Sequence, residues 1–130
     1  MNGLSLAYLG DAYYELEIRR YLIQFGYTKV DLLHKMKVKY ASNQAQASIM
    51  NHLLEQNLLN EEEISYYKKG RNGAHFTRKN INMVDYQQAT GFESLIGYLS
   101  LHDETRCKEV IQLGIEFIRS GEKDGERLAK

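Results

Sequence analysis

Not one of the 130 residues is a proline. The residue that most often kinks or ends a helix is therefore missing, and long helices can run without interruption. Apolar residues recur at helical spacing, and the two-residue alternation of half-buried strands is essentially absent. The expectation is an all-α single domain of about six or seven helices. Asn2 is the N-cap of a first helix running to about Gln24, with Gly26 as its stop. Thr28-Lys29-Val30-Asp31 has the form of a capping box and predicts a short helix to about Tyr40. A helix from Ala41 to Asn57 follows, with Ala45, Ile49 and Leu53 on one face. Asn60-Glu61-Glu62-Glu63 opens another, because acids at a helix N-terminus complement its dipole. That helix is expected to end near Gly70, and Gly70 to Asn80, lacking an apolar period, reads as a loop. A fifth helix is predicted from Met83 to Leu101, and a sixth from Asp103 to Ser120-Gly121. The folded domain is expected to span 2–119, with a polar tail over 120–130.

A chain of this length supports one domain with one core. No apolar stretch approaches the roughly 18–20 residues of a membrane span, and no signal-peptide pattern opens the chain. Cys107 is the only cysteine, which excludes a disulfide framework and a cysteine metal cluster. These features predict a reduced, cytoplasmic protein with no membrane partner. The formal net charge is zero, but no acid occurs from Ile64 to Val84, where Lys68, Lys69, Arg71, Arg78 and Lys79 give +5. Such a stretch can pair with nucleic-acid phosphates. A second basic run, Lys35, Lys37 and Lys39, alternates and so spreads around its helix.

Two carboxylates stand in apolar surroundings. Asp11 lies in LSLAYLGDAYYEL, and Glu93 in QATGFESLIGYLS. Both segments read as buried helix, where an uncompensated carboxylate costs several kcal/mol, roughly. Asp11 shares a helical stripe with Leu4, Ala7, Tyr8, Ile18 and Leu22, and Glu15 lies one turn further on. Gly10 on the first helix, and Gly91 and Gly97 on the later one, thin the surface around each carboxylate. Two such helices can cross closely. A shared hard cation such as Mg²⁺ would compensate both acids; hydrogen bonds from a helix end, or Arg19 and Arg20, are the structural alternative. The early first helix is apolar on nearly every side, so another subunit is expected to cover part of it.

Leu6-Ala7-Tyr8-Leu9-Gly10-Asp11-Ala12 resembles the ribonuclease III signature Leu-Glu-Phe-Leu-Gly-Asp-Ala. Phe92-Glu93-Ser94-Leu95-Ile96-Gly97 is similar to that family's second motif. Order and separation agree, and the resemblance runs from Asn2 to about Phe117. It is nearest to the short Mini-ribonuclease III form, which lacks a double-stranded-RNA-binding domain. The resemblance implies a homodimeric endoribonuclease that hydrolyses double-stranded RNA to 5′-phosphate and 3′-hydroxyl ends. It also implies precursor 23S ribosomal RNA as substrate and Mg²⁺ as cofactor, with Mn²⁺ a substitute. On this resemblance Asp11 and Glu93 are the catalytic metal ligands, and Tyr8 is the aromatic that enters a socket of the partner subunit. Lys68, Lys69, Arg71, Asn72, Arg78 and Lys79 are the residues expected on RNA. The family's further acids are replaced by Ala7, Thr90 and, on the third helix, Ser48. Glu15 ranks behind Asp11 and Glu93 as an outer carboxylate. The alternative on the same fold is a non-catalytic RNA-binding or ribosome-associated protein.

Overall fold

A computed structural model describes residues 1–75 and 82–122. Among the described residues there are six helices and no strand: α1 (Gly3–Phe25), α2 (Val30–Ala41), α3 (Asn43–Glu55), α4 (Glu61–Gly73), α5 (Met83–His102) and α6 (Glu104–Ser120).

Polar side chains fix where most of these helices begin. The Asn2 side chain accepts from the Ser5 amide at 2.8 Å, and Gly26, at φ 121°, ends α1 in a conformation that suits glycine. Ser42 separates α2 from α3 and caps the latter by accepting from the Ala45 amide at 3.1 Å. Asn60 and Glu63 form a reciprocal capping box on α4. Asp103 accepts from the Arg106 amide and opens α6.

Two local expectations are corrected. The Thr28–Asp31 box does not form: Lys29 is the N-cap of α2 and makes no side-chain cap bond. The expected loop from Gly70 begins later, because α4 continues to Gly73. The hydroxyl of Ser94 on α5 donates to the carbonyl of Tyr66, and Gly70 lies flush against Ser94, so packing carries α4 through its glycine. The rest of that loop beyond His75 lies outside the described residues.

α5 is the central helix. It is buried from Ala89 to Leu99 except at Glu93, and packs against α1, α3, α4 and α6. The core around it includes Tyr14, Ile18, Leu22, Ile49, Met50, Leu53, Phe92, Leu95 and Ile96. Each such side chain contributes about 1.5–3 kcal/mol on burial. The start of α1 is different. Leu4 and Tyr8 remain 46% and 85% exposed, so nothing among the described residues covers that apolar face.

Candidate active site

The site is set by the crossing of α1 and α5. A side chain at Gly10 would collide with the Glu93 carbonyl, and one at Gly97 with the Leu6 carbonyl. The two helices therefore meet backbone to backbone, as the small residues predicted. Rotation of α1 about its axis is held by Tyr14, which is buried, stacks edge-on against Phe92 at 5.1 Å and donates its hydroxyl to the Tyr40 carbonyl at 2.7 Å. Asp11 follows Gly10 directly, and Glu93 precedes Gly97 by one turn, so the crossing brings the two carboxyl groups together.

The two differ in burial. Glu93 is half-buried, whereas Asp11 is exposed. The expectation that both lie within buried helix is corrected for Asp11, which sits one residue beyond the glycine contact, where α1 turns toward solvent. Burial pushes the Glu93 carboxyl up, and the hydrogen bond and negative charge of Asp11 push it further, to about 8. The Gln46 side chain partly offsets this, and among the described residues no lysine or arginine acts on the group. At neutral pH the Glu93 carboxyl is thereby biased toward its protonated form.

Gln46 was not foreseen. It comes from α3, is 2% exposed, and donates Nε2 to the carbonyl of Ala41 at 3.0 Å while its amide also reaches Glu93. The Ala41 carbonyl needs a donor, which fixes the orientation of the amide. Its Oε1 is left buried without a hydrogen-bond partner. Ser48, the α3 position expected to replace an outer acid, is exposed instead. Two residues along a helix is more than half a turn, so only one of the pair can face α5. The signal was present in the sequence: Gln46 lies at i−3, i−4 and i−7 from Ile49, Met50 and Leu53, all buried.

The other expected residues divide clearly. Ala7 is buried. Thr90 is buried too and turns its hydroxyl onto the Tyr86 carbonyl of its own helix, at 2.8 Å. Glu15 is engaged by Lys37 at 3.2 Å and Arg19 at 2.9 Å, and the Lys37 bond above all holds its carboxyl below the usual range. Among the described residues no group of three or more His, Cys, Asp or Glu side chains converges, so Asp11 and Glu93 remain a pair. Cys107 is buried, and burial raises its thiol to about 12, which leaves it inert as a nucleophile.

The basic segment lies on the last turns of α4. Lys68 and Asn72 are exposed, and the Lys69 ammonium sits 4.5 Å from the centre of the Tyr66 ring. Arg71 is anchored rather than free: it donates to the Tyr67 hydroxyl and to Asn72 Oδ1, both at 3.2 Å. Arg78 and Lys79 lie outside the described residues. Tyr8 and Leu4 border an open cavity of about 560 Å³ also lined by Ser5, Lys69, Gly73 and His75.

A ribonuclease III domain matches residues 4–104. The chain is 65% identical over 125 residues to the Mini-ribonuclease 3 of Acholeplasma laidlawii, covering 96% of this chain and 100% of that one. It is 50% identical over 120 residues to the Mini-ribonuclease 3 of Enterococcus faecalis, covering 91% of each. Its fold is similar to the crystal structure of a Fusobacterium nucleatum protein, with a TM-score of 0.77 and 35% identity over 89% of this chain and 93% of that one. The all-α fold with the paired acids defines a class of helical endoribonuclease. The chain belongs to the ribonuclease III family, in its Mini-ribonuclease 3 group. Enzymes of that family act on double-stranded RNA and generally depend on divalent metal ions.

Proposed function

We propose that this endoribonuclease cleaves double-stranded RNA with Mg²⁺ held by Asp11 and Glu93, leaving 5′-phosphate and 3′-hydroxyl ends. Its substrate is precursor 23S ribosomal RNA, whose ends it matures in the cytoplasm, as the Mini-ribonuclease III resemblance implies. One observation carries the metal reading: two carboxyl groups are forced together at a glycine-lined crossing, and no basic side chain among the described residues acts on Glu93. The donor set fits the ion. Two carboxylates and the partnerless amide oxygen of Gln46 are all hard oxygen atoms, suited to Mg²⁺ that keeps much of its water. Mn²⁺ suits the same donors.

When bound, the cation supplies an acidified water and offsets the charge that grows on the phosphate. The chain's own residues do the positioning. Gly10 and Gly97 set the separation of the carboxyls, Tyr14 fixes the rotation of α1, and Gln46 restrains Glu93 through its amide. Exposed Asp11 offers its oxygens toward solvent, where RNA arrives. Lys68, Lys69 and Asn72 on α4 contact RNA backbone; Arg71 supports them through Tyr67. Such contacts position a duplex without reading its sequence. The uncovered face at Leu4 and Tyr8 is the surface through which two copies form the homodimer.

The test is Asp11→Asn incubated with duplex RNA in Mg²⁺. Cleavage falls to background while the helical circular-dichroism spectrum is retained. Undiminished cleavage by this variant would falsify the proposed site.

A further inference from the structure

Along α1, Asp11 lies between two cationic regions. Eight residues before it, Gly3 abuts the backbone of Lys69 and Gly70 on α4. Eight residues after it comes Arg19. At the helical rise each lies about 12 Å from Asp11 along the axis, a span of a few backbone phosphates. Arg19 has company. Lys37 reaches across from α2, and both cations share the single carboxylate of Glu15, which leaves the group with a net positive charge. Beyond them, a groove of about 210 Å³ runs between α1 and α2. Among the described residues it is lined by Arg19, Lys37 and His34, with the apolar Leu22, Ile23, Val30 and Leu33, and by no carboxylate. Ile23 and Val30 are 60% and 64% exposed.

Buried hydrogen bonds tie the C-terminal end of α2 to the helices that carry the carboxylate pair. The last residue of α2, Ala41, accepts from Gln46, whose amide reaches Glu93, and Tyr40 accepts from Tyr14 beneath Asp11. Glu15 stands one turn from Asp11 and draws Lys37 to the same face of α1. Lys37 is thereby distinguished from Lys35, which is exposed elsewhere on α2. The Arg19 and Glu15 side chains keep 53% and 40% of their exposure, so this network adds little to stability and a phosphate can still approach the cations.

We propose that the α1–α2 groove is a second track for the RNA backbone, in which Arg19 and Lys37 pair with phosphates on the opposite side of the cut from the α4 cations. The inference rests on the double-stranded-RNA reading above. The occupant is a polyanion, because Arg19 and Lys37 together outweigh the one carboxylate, Glu15, that they share, and stand along α1 on the far side of Asp11 from Lys69. Glu15 is a positioning residue that presents Lys37 to it.

The test is duplex-RNA binding against salt concentration, in an Asp11→Asn background so that no RNA is cut. Adding Arg19→Ala and Lys37→Ala reduces the steepness of the log K against log salt plot by about 2, close to one unit per lost phosphate contact. Affinity at low salt falls by about ten-fold or more. The charge-retaining pair Arg19→Lys and Lys37→Arg keeps the slope, which separates charge from packing. An unchanged slope in the double alanine variant, with the parent still binding duplex, overturns the groove alone. A parent that binds no duplex, together with a wild-type chain that cuts none, overturns the duplex-RNA reading and the groove with it.

Discussion

Glu63 on α4 is 2% exposed, yet both of its oxygens are engaged. Oε2 accepts from Arg106 Nε at 2.8 Å, and Oε1 accepts from Arg106 Nη2 at 3.1 Å and from the Asn60 amide at 2.9 Å. Burial acts to raise its pKa, but these donors and the positive charge win, and it lies below the usual value. Glu93 is less buried and worse off. Burial above all, and then the neighbouring Asp11, raise its pKa to about 8. Burial pushes both carboxyls up; donors and a positive charge answer it only at Glu63. A buried carboxylate whose two oxygens are both answered is part of the scaffold. One that is left in conflict is a candidate functional group.

The same substitution should therefore have opposite signs at the two positions. Glu63→Gln removes the charge that Arg106 answers and is expected to cost about 2–3 kcal/mol, somewhat under the ~3–5 of a fully buried pair, because Arg106 is 27% exposed. Since the folded pKa of Glu63 is lowered, its contribution is present above about pH 4.5 and is lost as pH falls below that. Denaturant unfolding at pH 7 and pH 3 checks this: the deficit should be large at the first and small at the second. An equal deficit at both would mean packing, not charge, holds the residue.

Glu93→Gln is the smaller and reversed case. A folded pKa near 8 against an ordinary 4.5 means the folded state binds the extra proton between those values, so stability falls as pH rises through that window. Removing the charge should stabilise the metal-free protein by about 1–2 kcal/mol at pH 9, after discounting for partial exposure, and by almost nothing at pH 5. Thermal melts in a chelator at the two pH values measure it. Destabilisation at pH 9 would show that Glu93 is compensated like Glu63, and the contrast between them would collapse.

The contrast also explains what the sequence made legible. Capping signals are local, and those at Asn2, Asn60 and Asp103 were readable because cap and recipient lie within one turn. Thr28–Asp31 misled for the same reason, since a four-residue pattern says nothing of how the chain enters α2 from the α1 turn. Asp11 and Glu93 stood out because charge in an apolar segment is visible without a fold. The exposure of Asp11 was not visible, because it depends on where α1 leaves the glycine contact. Gln46 is masked by Ser48, because it is the buried stripe of α3, not sequence spacing, that brings a polar side chain to α5. The Glu15–Lys37 link, 22 residues apart, needed two helices placed side by side.

Gln46 offers the finest test of the comparison, because its expected effect on the metal-free fold is near zero. Gln46→Leu removes hydrogen bonds to Ala41 and Glu93, each worth about 1 kcal/mol, but also removes an unanswered buried oxygen whose desolvation costs about 1–3 kcal/mol. In a chelator the melting temperature should therefore hardly move. The difference should emerge only with metal. Partners that orient or hydrogen-bond metal ligands typically govern affinity by about 10–100-fold, so Mn²⁺ binding by calorimetry should weaken by that order, and the rise in melting temperature that Mn²⁺ gives the wild type should shrink. If Gln46→Leu instead melts early in chelator and binds Mn²⁺ normally, the amide is a scaffold element of the Glu63 kind. Its orphan oxygen would then say nothing about the ion.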